Sequence, residues 1–303
     1  MSRGLLAALV LVWALAGIGL AGPVAFLAVL GTLALFALPG LAWSRSLVGA
    51  LCGLAVSAVL NAALVFLVGW NVALTAALLL LLTGAAFFLV RRIYAVPPLH
   101  FGGASGDRAF LLVVALLVLA FVAVPLARSP TTDGDKHAYH SLMAHDYLMR
   151  GTFAVGVQHA LPPRDAFLAS ERLHNYCLYY SLVAFAMEAT GGTVAPERFV
   201  AATDLVLPLL FLLTLFTVCR AYLGGRWAWA AVLFGVVAYS YNDLFVFTKY
   251  VRWSGVDRLH DFAAEYSDLS HGWTRDFLVE PHAVLALIFG FAALALSAHA
   301  LRT

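Results

Sequence analysis

The chain has 303 residues, of which 63% are hydrophobic and 11% are charged, and its mean hydropathy is +0.92. Soluble domains carry about 25% charged residues, so this composition excludes a soluble enzyme or a soluble nucleic-acid-binding protein. The net charge of +2 is too small to indicate a polyanionic partner. The composition predicts an all-α polytopic membrane protein, and the excess of arginine over lysine is typical of G+C-rich bacteria.

A membrane-spanning helix needs about 20 predominantly apolar residues, and eight apolar runs approach or reach this length. The eight predicted spans are residues 4–20, 23–39, 47–68, 72–90, 109–127, 199–219, 227–247 and 279–300. The first run ends before Ala21-Gly22, so it is also compatible with a cleaved signal peptide. We favour a retained first span.

A further apolar segment, residues 176–189, carries Glu188 and is too short to cross a bilayer comfortably. We expect it to lie in the outer interface, because the arginines of the short connections then all face the cytoplasm. Both termini are then cytoplasmic, and the two polar loops, 128–198 and 248–278, are extracytoplasmic. This multi-pass topology belongs in a bacterial inner membrane, with every acidic residue except Asp107 on or toward the outer side.

The chain divides into three predicted parts. Residues 1–90 form a four-helix transmembrane bundle with almost no ionisable side chains, and we expect no site there. Residues 91–108 are a cytoplasmic linker, and residues 109–303 hold both polar loops. Within the predicted spans, Asp204 is the main ionisable residue.

The first polar loop opens with two carboxylates and two histidines, at Asp133, Asp135, His137 and His140. From Lys136 to Met149 the apolar residues recur at helical spacing, which predicts an amphipathic helix lying on the membrane. Three interpretations stay open. One aspartate caps this helix, the four residues bind a metal ion, or one carboxylate is catalytic at the membrane surface. Capping by one aspartate leaves the other free for catalysis.

Other loop residues are candidates for substrate binding. Tyr176, Tyr179 and Tyr180 form either an interfacial aromatic belt or a substrate-facing cluster. Glu280 and His282 stand at or just inside the last span, where ionisable groups are costly and often functional. The second loop adds four cations that form either a solvated face or a phosphate clamp. These cations are Lys249, Arg252, Arg258 and Arg275.

These features resemble the first outer loop of GT-C-type glycosyltransferases, which are polytopic enzymes that use polyprenyl-phosphate-linked sugars as donors. The chain shares with them an acidic motif after a span, an amphipathic juxtamembrane helix and a short aromatic helix. Within that superfamily it most resembles the bacterial YYY-type membrane proteins. The matching segments are Pro162–Asp165, Asn175–Tyr176, Tyr179–Tyr180, Leu207–Phe211 and Glu280–Leu287. The resemblance covers roughly residues 109–300.

The resemblance implies direct displacement of a sugar from a polyprenyl-phosphate carrier to a glycan, lipid or protein acceptor. Asp133 or Asp135 matches the base that activates the acceptor hydroxyl, and Asp243 matches the acidic position of the second loop. The departing phosphate needs cations, which the second-loop basic residues or a divalent metal, Mg²⁺ or Mn²⁺, would supply. His137 and His140 are candidate binding residues, and with Asp135 they are the candidate metal ligands.

Two other classes of function stay open at this point. A transporter or flippase of a lipid-linked or anionic solute should bury ionisable residues at mid-membrane on broken helices. Here the spans hold little besides Asp204, which favours chemistry at the surface. A non-catalytic assembly subunit would instead use the loops to bind another protein.

Overall fold

The computed structural model describes residues 3–44, 46–90, 105–127, 131–133, 136–138, 141–159, 177–223, 225–237 and 281–300. Within these ranges the chain is α-helical apart from one two-stranded hairpin. Three of the helices in them are long and apolar enough to cross a membrane, namely Pro23–Trp43, Leu47–Val68 and Pro196–Tyr222. The chain is therefore a helical membrane protein.

The helices follow the apolar runs of the sequence. The first half holds α1 (Arg3–Ala21), α2 (Pro23–Trp43), α3 (Leu47–Val68), α4 (Val72–Ala85, then a π-helical segment Ala86–Val90) and α5 (Ser105–Ala127). The second half holds α6 (Ser141–His159), α7 (Cys177–Ala189), α8 (Pro196–Tyr222), α9 (Gly225–Val237) and α10 (Pro281–Ala300). Each predicted span coincides with one of these helices, except that residues 238–247 and 279–280 lie outside the described part. The number of membrane crossings stays a prediction.

The helices α2 and α3 pack backbone to backbone along a stripe of short side chains on α3. The stripe consists of the buried residues Gly49, Gly53, Ser57 and Asn61, spaced four apart. A Cβ added at Gly53 would lie 2.7 Å from the Ala37 carbonyl oxygen, and the Ser57 hydroxyl donates to the Phe36 carbonyl oxygen at 2.8 Å. Small residues at four-residue spacing allow this close approach between membrane helices.

Residues 1–90 share one core with the rest of the chain. Trp13 and Ala21 of α1 are buried, and α1 packs against α5 and α8. The helix α2 packs against α7 and α8, and α3 packs against α7 and α10. Side chains of α1 fill part of the common core, while the choice between a retained span and a cleaved signal peptide stays a prediction.

Two hydrogen bonds bring several helix ends together at one end of the bundle. The Arg198 Nη1 donates to the Leu20 carbonyl oxygen at 2.9 Å, which joins the start of α8 to the end of α1. The Trp70 Nε1 donates to the Val157 carbonyl oxygen at 2.9 Å, which joins the α3–α4 turn to α6. We call this end the turn face; it holds Gly22, residues 69–71 and residues 190–195.

The start of the first outer loop differs from the prediction. The pattern predicted a helix from Lys136, but Lys136–Ala138 is a β-strand that pairs antiparallel with Thr131–Asp133. Only Gly134 and Asp135 separate the strands, and a two-residue connection that begins with glycine favours a tight hairpin. Because Asp133 lies in this hairpin and α6 begins at Ser141, the capping interpretation is wrong for Asp133.

The helix α7 is short, as predicted, but it is buried rather than interfacial. Its 13 residues extend about 20 Å, at about 1.5 Å per residue, which is less than the ~30 Å of a bilayer core. Every side chain from Tyr179 to Met187 is buried, and the helix packs against α2, α3, α6 and α8. The expected position in the outer interface is therefore replaced by a position in the core.

We expect Gly53→Ala to lower the free energy of unfolding by about 1–3 kcal/mol, because the new methyl group would force α2 and α3 apart. Chemical denaturation in one detergent measures this difference. The matched control is Gly84→Ala on α4, where an added Cβ would meet nothing within 4 Å. Equal stability of the two variants would show that the α2–α3 interface accommodates the added methyl group.

The predicted topology places Leu223 on the cytoplasmic side and Thr193 on the extracytoplasmic side, and both residues are exposed. After replacement of the three native cysteines, we expect Leu223→Cys to react with a membrane-impermeant thiol reagent only in inverted vesicles. Thr193→Cys should react only in intact cells. Labelling of both variants from the same side would mean that α8 does not cross the membrane.

Candidate functional site

A buried ion pair joins α6 to α8 beneath the turn face. The Arg150 Nη1 lies 3.0 Å from Oδ2 and 3.3 Å from Oδ1 of Asp204, and the side chains are 1% and 0% exposed. Asp204 is about 12 Å along α8 from its start at Pro196, at about 1.5 Å per residue. A Cβ added at Gly151 would lie 3.5 Å from the Pro196 Cβ. The helix α6 therefore crosses the start of α8, and Arg150 reaches into the bundle.

The pair makes the contact between α6 and α8 specific. Removing two charges from water costs several kcal/mol per ion, and their mutual attraction offsets this only in a good geometry. The bond from Arg150 to both carboxylate oxygens is charge-assisted and directional. A shift of α6 along α8 would separate these atoms and break a buried charge-assisted bond, so the ion pair fixes the register of the two helices.

Two hydroxyl groups extend this polar region to α7. The Thr203 hydroxyl donates to the Val200 carbonyl oxygen at 2.7 Å, so the Tyr179 hydroxyl is the donor in its 2.7 Å bond to Thr203 Oγ1. Burial raises the pKa of the Tyr179 phenol well above its usual range, and the negative charge of Asp204 raises it further. The phenol therefore stays protonated as a donor. We call Arg150, Asp204, Tyr179 and Thr203 the buried polar cluster.

A small cavity adjoins the buried polar cluster. Its volume is about 10 Å³, which is room for about one water molecule. Three hydroxyl-bearing residues line it, namely Thr32, Tyr179 and Thr203. The other described residues that line it are apolar, namely Val29, Leu33, Leu182, Leu207 and Leu285. The cavity is far too small for a sugar, so it cannot hold a glycosyl group.

The structure describes five of the residues that we predicted for the site. Tyr179 and Tyr180 are buried in α7, so neither belongs to an interfacial aromatic belt. Asp133 and His137 lie on the two strands of the hairpin, and His282 lies in the first turn of α10. The other predicted residues lie outside the described part of the chain. They are Asp135, His140, Tyr176, Asp243, Lys249, Arg252, Arg258, Arg275 and Glu280.

The predicted metal site is only partly within the described residues. Asp135 and His140 lie outside them, and His137 is on the second strand of the hairpin. In the part of the chain that the structure describes, no three His, Cys, Asp or Glu side chains converge as metal ligands would. A divalent metal bound by Asp135, His137 and His140 stays a prediction.

Sequence reasoning found Asp204 but missed its partner. A carboxylate in an apolar run predicts a cation nearby, because an unpaired ionisable group at membrane depth has a high free-energy cost. The predicted amphipathic helix ended at Met149, one residue before Arg150, whereas α6 continues to His159. An arginine next to the apolar face of a helix in the same outer loop was the available signal.

No protein-family model matches this chain, and neither the curated proteins nor the solved structures contain a significant match. The resemblance to GT-C enzymes therefore rests on the short sequence motifs alone. Because fold does not determine function, function must be argued from the residues of the site.

We expect Arg150→Met and Asp204→Leu each to lower the free energy of unfolding by about 3–5 kcal/mol, because each leaves one charge buried without its partner. The double variant should recover most of that loss, since it buries no charge. Chemical denaturation in detergent measures all three. The control is Glu188→Gln, a partly exposed carboxylate at the end of α7. Additive losses in the double variant would show that the two residues do not stabilise the fold as a pair.

Proposed function

We propose that the protein is an integral membrane glycosyltransferase that transfers a sugar from a polyprenyl-phosphate carrier to an envelope acceptor. The acceptor is a glycan, a lipid or a protein, and the reaction takes place on the extracytoplasmic side of a bacterial inner membrane. The observation that carries the proposal is the ion pair between Arg150 and Asp204. It anchors α6, the helix that directly follows the hairpin bearing Asp133.

The hairpin and α6 suit a catalytic loop at the membrane surface. A general base must stay within hydrogen-bond reach of the proton that it removes, and such precision needs a supporting element that is itself fixed. The helix α6 is held twice, by Arg150 on α8 and by the bond from Trp70 to the Val157 carbonyl oxygen. Only two residues, 139 and 140, separate the hairpin from it.

In the proposed reaction the acceptor hydroxyl loses its proton to the carboxylate of Asp133 or Asp135. The acceptor oxygen forms a bond to the anomeric carbon of the sugar while the bond from that carbon to the phosphate oxygen breaks. The electron pair of that bond leaves with the polyprenyl phosphate. The second-loop cations, such as Arg252 and Arg258, stabilise the charge on this leaving group, and Asp243 supplies the second carboxylate. A divalent metal held by Asp135, His137 and His140 would add positive charge near the phosphate.

The course of the described helices supports an enzyme over a transporter. Transporters often place their ionisable residues on discontinuous helices at mid-membrane. Here α8 carries Asp204 and Pro208, and it continues without a break from Pro196 to Tyr222. The helix α2 likewise continues through Pro39. The buried polar cluster therefore lies on a helix without the break that alternating access commonly uses.

The test is an assay of the protein in nanodiscs with radiolabelled polyprenyl-phosphate hexoses and pentoses, in which release of polyprenyl phosphate is measured. We expect Asp133→Asn to lower the rate by about 10²–10⁴-fold if this carboxylate is the general base. The control is Asp107→Asn, a carboxylate of α5 that the predicted topology places on the cytoplasmic side. It should keep the wild-type rate.

If Asp133→Asn and Asp107→Asn transfer sugar equally well, Asp133 is not the base, and Asp135→Asn tests the other candidate. If neither aspartate of the hairpin region matters, the proposed role of the first outer loop is wrong. A wild-type protein that is folded and transfers no sugar from any of these donors would contradict the proposed function as a whole.

A further inference from the structure

A second and larger cavity opens between α2, α4 and α7. Its volume is about 280 Å³. Among the described residues, apolar ones form most of its wall, namely Ala28, Gly31, Leu35, Val72, Phe185 and Ala189, and the threonines Thr32 and Thr190 also line it. We call this cavity the α2–α4–α7 groove. None of these described lining residues is charged, so they offer neither a counter-ion nor a clamp to a charged ligand.

The groove lies at the depth of the bilayer leaflet that adjoins the turn face. Val72 begins α4 and Thr190 follows α7, so both stand at the turn face. Ala28 and Leu35 follow the start of α2 at Pro23 by about 8 and 18 Å, at about 1.5 Å per residue. One half of the hydrocarbon core is about 15 Å thick. Because α2 is long and apolar enough to cross the membrane, the groove extends through this half.

The apolar wall of the groove and its depth in the membrane favour an alkyl chain over a peptide segment as the ligand. An extended peptide segment in this position would bring backbone groups that the apolar wall cannot satisfy, which costs several kcal/mol for each group in hydrocarbon. An alkyl chain needs no hydrogen-bond partner. Gly31 is exposed and a Cβ added there would meet nothing within 4 Å, so the groove is open where a chain would lie.

We propose that the α2–α4–α7 groove binds one alkyl chain of a lipid from the leaflet at the turn face. Thr32 lines both this groove and the small cavity beside Tyr179 and Thr203. The bound chain therefore lies one side chain away from the buried polar cluster. This inference does not rest on the proposed sugar transfer, because it concerns the helices α2 and α4 and a chain without a reactive group.

The test uses the full-length protein in phosphatidylcholine vesicles that contain a minor fraction of phosphatidylcholine with a diazirine in one acyl chain. After irradiation, mass spectrometry of peptides maps the lipid adducts. We expect adducts at residues 28–35 and around Val72 to exceed those at Val56 and Val59, which are exposed on α3 and report ordinary lipid contact. Gly31→Leu fills the groove and should reduce the groove adducts to that background level.

The matched control is Gly19→Leu, because Gly19 is also an exposed glycine of an apolar helix with nothing within 4 Å of an added Cβ. It should leave the groove adducts unchanged, and both variants should melt at the wild-type temperature. Wild-type groove adducts at the level of Val56 and Val59 would overturn the proposal. So would undiminished adducts in Gly31→Leu. Sugar transfer is not measured, so failure here leaves the proposed function standing.

Discussion

Most of the architecture at the turn face depends on how two opposite charges are kept out of water. Neither Arg150 nor Asp204 has access to solvent, and breaking such a buried pair costs about 3–5 kcal/mol, a large share of the stability of about 5–15 kcal/mol that a typical fold has. The pair therefore ties α6 to α8 in one register. The helix α7 packs against both of these helices.

The ion pair is effective because the helices around it are already closely packed. The glycines of α3 bring it against α2, and α2 packs in turn against α7 and α8. The part of the chain with almost no ionisable residues thus forms one wall of the buried polar cluster and of the cavity beside it. Thr32, on α2, lines that cavity together with Tyr179 of α7. Residues 1–90 are therefore not merely a membrane anchor for the remainder.

Much of the fold follows from the sequence, because long apolar runs leave a chain in a bilayer few alternatives to helices. What the sequence does not show is which face of each helix meets another. Tyrosine is typical of interfacial aromatic belts, yet tertiary packing buries both Tyr179 and Tyr180. The hairpin was missed because Lys136 and His137 fit a helical pattern, while a two-residue glycine connection favours strand pairing. Arg150 was missed because the spacing of apolar residues predicts where a helix lies but not which charged side chains contact each other.

The structure separates two kinds of polar residue that composition alone treats alike. The buried polar cluster is enclosed, and its cavity holds no more than a water molecule, so its residues act through the positions of α6 and α8. Asp133 and His137 belong to a short hairpin instead, joined to the fixed helix by two residues. The proposed sugar transfer would use both kinds, since a loop that admits a lipid-linked substrate must open to the membrane surface. In that proposal the precision of the loop comes from the element beside it, and α6, which carries the buried Arg150, is that element.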